Sequence, residues 1–138
     1  MQLSTSEESD LIAGLRIIVV DDIRDCRDLV AMYLEQKKAQ VKAVSCPKKA
    51  LNILENFDAE LIISDIYMPE EDGYWFIEQL NKINQKLPRY VPAIALTVAV
   101  KDREQKRIIT AGYDGYLAKP FMLEDLTLLI TQLIRKLN

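Results

Sequence analysis

The chain has 138 residues, 18 basic and 21 acidic side chains, a net charge of −3 and 49% hydrophobic residues. A single domain of this size buries roughly two thirds of the surface its unfolded chain exposes, and the slight acidic excess gives no general attraction for nucleic acid phosphates or anionic lipid. No run of about 18 apolar residues is present to span a membrane, so a soluble globular protein is expected.

Residues 1–13 read as a polar, acidic leader that is expected to be flexible, with the packed domain over 14–138. The leader has neither the basic nor the apolar region of a secretion signal, so a cytoplasmic location is expected. Arg16 to Val20 is an apolar strand that delivers Asp21 and Asp22. A helix follows from about Asp25 to Lys38, with Cys26, Leu29, Val30 and Tyr33 at helical spacing. A weak strand, Val41 to Val44, precedes a second helix opened by Pro47 in the favoured first turn, with Ala50, Leu51 and Leu54 facing inward.

Leu61 to Asp65 is the third strand and about Tyr74 to Asn84 the third helix. Ala93 to Thr97 is almost unbroken apolar, as a strand buried on both faces should be. The fourth helix, about Asp102 to Ala111, is mostly polar, with Ile108 and Ile109 as anchors and Gly112 as its end. Its Lys101, Arg103, Lys106 and Arg107 read as a wet face. Gly115 to Ala118 is the last strand and delivers Lys119-Pro120, and the last helix carries Leu126, Leu129, Ile130, Leu133 and Leu137 on one stripe. The two cysteines, Cys26 and Cys46, form neither a disulfide framework nor a metal spacing.

Alternating strands and helices with short connections indicate an α/β fold with a parallel sheet. With right-handed crossovers, the common arrangement is flavodoxin-like, a three-layer (βα)5 fold with five strands in the order 2-1-3-4-5. Ligands then bind outside the carboxyl ends of the strands. Asp21, Asp22 and Asp65 would flank the crevice between the first and third strands, with Thr97 and Lys119 approaching from the next two.

Three carboxylates in one place repel each other, since two unit charges about 4 Å apart cost roughly 4 kcal/mol at an effective dielectric near 20. One lysine does not neutralise them, so a cation or a raised pKa is expected. Oxygen ligands, with no histidine in the chain, favour a hard ion such as Mg²⁺ (or Mn²⁺) shared with a phosphoryl group. A carboxylate can itself be the nucleophile and form an aspartyl phosphate. In such a transfer Asp65 would attack, Asp22 and Asp65 would hold the metal and Asp21 would act through a water. Lys119 would pair with one phosphoryl oxygen and Thr97 would donate to another.

Four motifs in order carry a resemblance: IIVVDD at 17–22, IISDIYMPEEDG at 62–73, AIALT at 93–97 and GYLAKPF at 115–121. From about Leu15 to Leu137 the chain resembles the receiver domains of two-component response regulators, the CheY-like superfamily. The resemblance implies a phosphoryl group taken by Asp65 from a phosphohistidine on a histidine kinase or histidine phosphotransfer protein. It implies that the Tyr67 backbone carbonyl completes the metal site, that Gly73 allows the turn into the third helix, and that the Lys119-Pro120 bond is cis. It also implies a switch: Thr97 moves toward the phosphoryl group, Tyr116 rotates inward, and the surface of the fourth helix, fifth strand and fifth helix changes for a downstream protein target.

Two positions depart from the family pattern. Val98 stands where a small residue is usual and is expected to narrow access, while Tyr67 is bulky and is expected to screen the acyl phosphate from water. A phosphorylated form that is long-lived or loads slowly would follow. One rival, a phosphohydrolase with an aspartate nucleophile, lacks its general acid, because position 67 is tyrosine and histidine is absent. The other, a degenerate receiver acting as a phosphorylation-independent interaction module, is opposed by the intact set of Asp22, Asp65, Thr97 and Lys119.

Overall fold

The structure is a computed structural model and describes residues 10–98 and 101–137. Five strands form one parallel sheet in the order β2-β1-β3-β4-β5. They are β1 Arg16–Val20, β2 Gln40–Val44, β3 Leu61–Asp65, β4 Ala93–Thr97 and β5 Gly115–Ala118. Five helices alternate with them: α1 Arg24–Gln36, α2 Pro47–Leu54, α3 Gly73–Asn84, α4 Asp102–Ala111 and α5 Leu123–Leu137. This is the flavodoxin-like arrangement expected from the alternation of elements.

Strand alternation divides the core in two, because successive side chains point to opposite faces. Ile18, Val20, Ile62, Ala93 and Ala95 pack with Ala50, Phe76, Ile77, Leu80 and Ile108 from α2, α3 and α4. Ile17, Val19, Leu61, Ile63, Ile94 and Leu96 pack with Val30 and Leu34 of α1 and Leu126 and Ile130 of α5. Every residue of β3 and β4 is buried, as their apolar runs require. The edge strand β2 exposes Gln40, Lys42 and Ala43, which explains its weak sequence pattern.

Several packing expectations need correction. Residues 10–12 make one helical turn, and Ile12 is completely buried in the α1/α5 layer. The packed body therefore reaches into the expected flexible leader, whose residues 1–9 lie outside the described residues. Leu29, Ile109 and Leu137 were expected on inner stripes but are exposed. Successive helical residues are about 100° apart, so Ile108 and Ile109 cannot both face the sheet, and on α1 the buried arc is set by Val30, Ala31 and Leu34. Leu137 lies at the far end of α5, beyond its buried residues.

Local chemistry sets several of the helix ends. Asp72 caps α3, its carboxylate accepting from the Tyr74 and Trp75 amides at 3.0 Å each, which satisfies two otherwise orphaned donors. Gly112 ends α4 at φ 123°, a conformation that side chains rarely adopt. Gly73 is needed for space rather than for an unusual turn. A Cβ there would lie 2.7 Å from the Asp65 carbonyl oxygen and 2.8 Å from Ile66 Cα.

Candidate functional site

Three strand ends, those of β1, β3 and β5, bring an acidic cluster and a lysine together. The register sets Val20 beside Ser64 and Asp65 beside Leu96, so Asp21 emerges next to Asp65. One oxygen from each of Asp21, Asp22 and Asp65 lies within 4.8 Å of the others. Lys119 follows β5 and its amide donates to the Thr97 carbonyl at 2.7 Å, tying its backbone to the end of β4. The Lys119 ammonium reaches back to Asp21 Oδ2 and Asp65 Oδ2, each at 3.4 Å. The Lys119-Pro120 bond is cis, as the resemblance implied.

The acids are held by their own backbone. Asp21 Oδ1 accepts from the Ile23 amide and Asp65 Oδ1 from the Ile66 amide, both at 2.9 Å. Asp21 and Asp65 are almost wholly buried. Burial pushes the Asp65 carboxyl above its usual range; Lys119 opposes this and the neighbouring Asp21 adds to it. Burial alone would pull the Lys119 ammonium down, but the Asp65 and Asp21 carboxylates outweigh it and hold it above its usual value. The lysine is thus a fixed positive charge, and the acids carry more negative charge than it offsets.

Among the described residues, Asp22 Oδ1 is the buried side-chain atom left without a hydrogen-bond partner. Buried polar atoms are nearly always satisfied. An orphaned carboxylate oxygen beside two further carboxylates, with only oxygen donors near, suits a small, hard divalent cation. The residues present therefore fit Mg²⁺.

Thr97 is completely buried at the end of β4, one strand from Asp65. Val98 is exposed and lines an apolar groove of about 350 Å³ with Cys26, Leu29, Phe121 and Leu123, opening beside Asp21 and Lys119. Tyr116 is half-buried and shares a second groove with Ile109 and Lys106 of α4. Tyr67 is exposed, and its hydroxyl donates to Glu104 on α4. Sequence reasoning did not find Glu104, nor Arg107, which lies 3.9 Å from the Tyr74 ring centroid rather than on a purely wet face. The segment carrying these residues has a polar helical pattern and no local mark of a partner 30 or more residues away.

Comparison with known proteins bears on the family and the fold. The family model described as the response regulator receiver domain matches residues 17–131. An uncharacterized 14.6 kDa protein of Leptolyngbya boryana is 36% identical over 88% of the chain and 91% of its own length. The response regulator SaeR of Staphylococcus aureus is 31% identical over 88% of the chain, which spans about half (51%) of that relative. Among solved structures, the chemotaxis response regulator CheY4 of Vibrio cholerae is 27% identical with a TM-score of 0.76, covering 88% of this chain and 99% of its own. Among the described residues no helix is long and apolar enough to cross a membrane. Receiver domains are regulatory signalling modules that bind Mg²⁺ in an acidic site and work with histidine kinases and downstream effectors. With Asp21 after β1 and Asp65 at the end of β3 paired to the lysine after β5, and the family match running through all five strands, the chain belongs to the response regulator receiver family.

Proposed function

We propose that the chain is a phosphoacceptor switch in which Asp65 takes a phosphoryl group from a partner's phosphohistidine. The observation that carries this reading is the Lys119 ammonium 3.4 Å from both Asp21 and Asp65 beside the orphaned Asp22 oxygen. In the transfer, an Asp65 carboxylate oxygen bonds to phosphorus as the phosphorus–nitrogen bond breaks, and the electron pair leaves with the imidazole. Asp22, Asp65 and the Tyr67 backbone carbonyl would hold the divalent cation, with Asp21 acting through a water. When bound, that cation neutralises charge on the phosphoryl oxygens.

The protein's own groups do the rest. Asp65 is desolvated, so its carboxylate is a poorly hydrated nucleophile held in one direction by the Ile66 amide. Lys119 lies where it can exchange an aspartate oxygen for a phosphoryl oxygen at little cost in reorganisation. Thr97 supplies a hydroxyl to another phosphoryl oxygen, and its movement lets Tyr116 turn inward. The groove shared by Tyr116 and the exposed Ile109 supports the α4, β5 and α5 surface as the face that changes for a downstream protein.

The test is incubation with Mg²⁺ and acetyl phosphate, followed by the mass of the intact protein. Wild type is expected to gain one phosphoryl group and Asp65→Asn none. A wild-type protein that gains nothing, or a variant that gains as much, overturns the reading.

A further inference from the structure

The loop after β3 is tied to the helix after β4 through a single carboxylate. Tyr67 Oη donates to Glu104 Oε2 at 3.2 Å, and Tyr74 Oη donates to the same oxygen at 3.4 Å. Arg107, three residues along α4, lies over the Tyr74 ring and brings a compensating positive charge to the cluster. Tyr67 stands two residues beyond Asp65 with 46% of its surface exposed. An exposed aromatic side chain of this kind samples several rotamers unless something selects one, and here the Glu104 carboxylate selects it. The tie joins the segments that leave the two strand ends carrying Asp65 and Thr97.

We propose that Glu104 is a positioning residue for the phosphorylated form: by holding the hydroxyl of Tyr67, two residues after the phosphoacceptor, it fixes where the phenol ring stands and slows hydrolysis of the aspartyl phosphate. This rests on Asp65 being the phosphoacceptor. In the hydrolysis a water oxygen bonds to phosphorus, the bond from phosphorus to the Asp65 oxygen breaks, and the electron pair returns to the carboxylate. Both of the water's protons leave with the inorganic phosphate, as H2PO4−. A bulky ring held still restricts the line along which that water arrives. A ring freed from Glu104 leaves the line open for part of the time. Both hydrogen bonds are longer than the usual 2.5–3.0 Å or so for hydroxyl donors, so the tie governs direction more than stability.

The experiment loads the full chain with acetyl phosphate and Mg²⁺, removes the donor, and follows loss of phosphoryl mass with time. Tyr67→Phe and Glu104→Ala are each expected to shorten the lifetime about three- to tenfold, the range of rates that one hydrogen bond commands. The double variant is expected to decay no faster than Glu104→Ala alone, because that change already removes the Tyr67–Glu104 contact that Tyr67→Phe removes. Glu104→Gln keeps an acceptor oxygen and is expected to restore a lifetime near that of wild type. Unfolding midpoints are expected to move by less than about 2 °C, since exposed ties contribute little to stability. Wild-type decay in every variant, additive single effects, or Glu104→Gln decaying like Glu104→Ala would each overturn the role of Glu104 alone. A wild-type chain that never gains a phosphoryl group would overturn the phosphoacceptor reading and the role of Glu104 with it.

Discussion

At the amino ends of the strands, charged groups meet partners that use them fully. The Asp114 carboxylate accepts from the Tyr90 hydroxyl and from the Ala93 amide, each at 2.9 Å, closing the start of β4 against the start of β5. Glu60 sits between the Arg16 and Arg89 guanidiniums at 3.6 and 3.9 Å, and both arginines also donate to the Asp58 carbonyl. At the carboxyl ends, two of three clustered carboxylates, Asp21 and Asp65, share one ammonium, and an oxygen of the third, Asp22, has no hydrogen-bond partner. The same residue types hold the fold together at one end and load it with unrelieved charge at the other. A site that must accept a cation and a phosphoryl group has to be left incomplete, and the surrounding fold supplies the stability that this costs.

Substitutions of opposite sign at the two ends would break or sharpen this contrast. The largest expected effect is at the amino end. Asp114→Ala leaves the buried start of β4 without its acceptor, at a cost of about 2 kcal/mol, to be read from urea unfolding. Phosphoryl uptake by the folded variant should be unchanged. A cost near zero would mean that the amino-end network is ornamental. At the carboxyl end, Asp65→Asn removes a charge that burial disfavours, and in the absence of divalent ions it is expected to stabilise the protein by roughly 1 kcal/mol. Adding Mg²⁺ should stabilise wild type by mass action and the variant much less. A destabilised Asp65→Asn protein would show instead that the attraction of Lys119 outweighs desolvation and the repulsion of Asp21.

How much of this was legible in the sequence differs between the two ends for the same physical reason. The carboxyl-end residues directly follow apolar strands, and parallel strands carry whatever follows them to one edge of the sheet, so Asp21, Asp65, Thr97 and Lys119 could be placed without coordinates. The amino-end partners sit on connections, where no periodicity applies; nothing in Pro88 to Pro92 marks Tyr90 as the donor to Asp114. Glu104 was hidden in the same way, because its partners are 37 and 30 residues distant. Arg107 looked like one of several solvated cations until the Tyr74 ring appeared beneath it. Helix periodicity located α1 and α4 but not their rotation, since hydrophobicity alone does not distinguish Ile108, which is buried, from Ile109, which is exposed.

The smallest expected effect is an alkaline one and concerns the amino-end clamp. Burial, followed by the Asp114 carboxylate, pushes the Tyr90 phenol up to about 12. A proton held more tightly in the folded state contributes stability that is complete below the unfolded value of about 10 and is lost as pH rises through the folded one. The difference in unfolding free energy between wild type and Tyr90→Phe should therefore be steady up to about pH 10 and shrink toward pH 12 or so. Tyr113 is also held above its usual range by burial, but it is present in both proteins and cancels from the difference. Because Tyr90 is 44% exposed, solvent screens the interaction and the change should be small. A difference that stays constant across that interval would mean that the Asp114 carboxylate is satisfied by the Ala93 amide alone, with Tyr90 only resting against it.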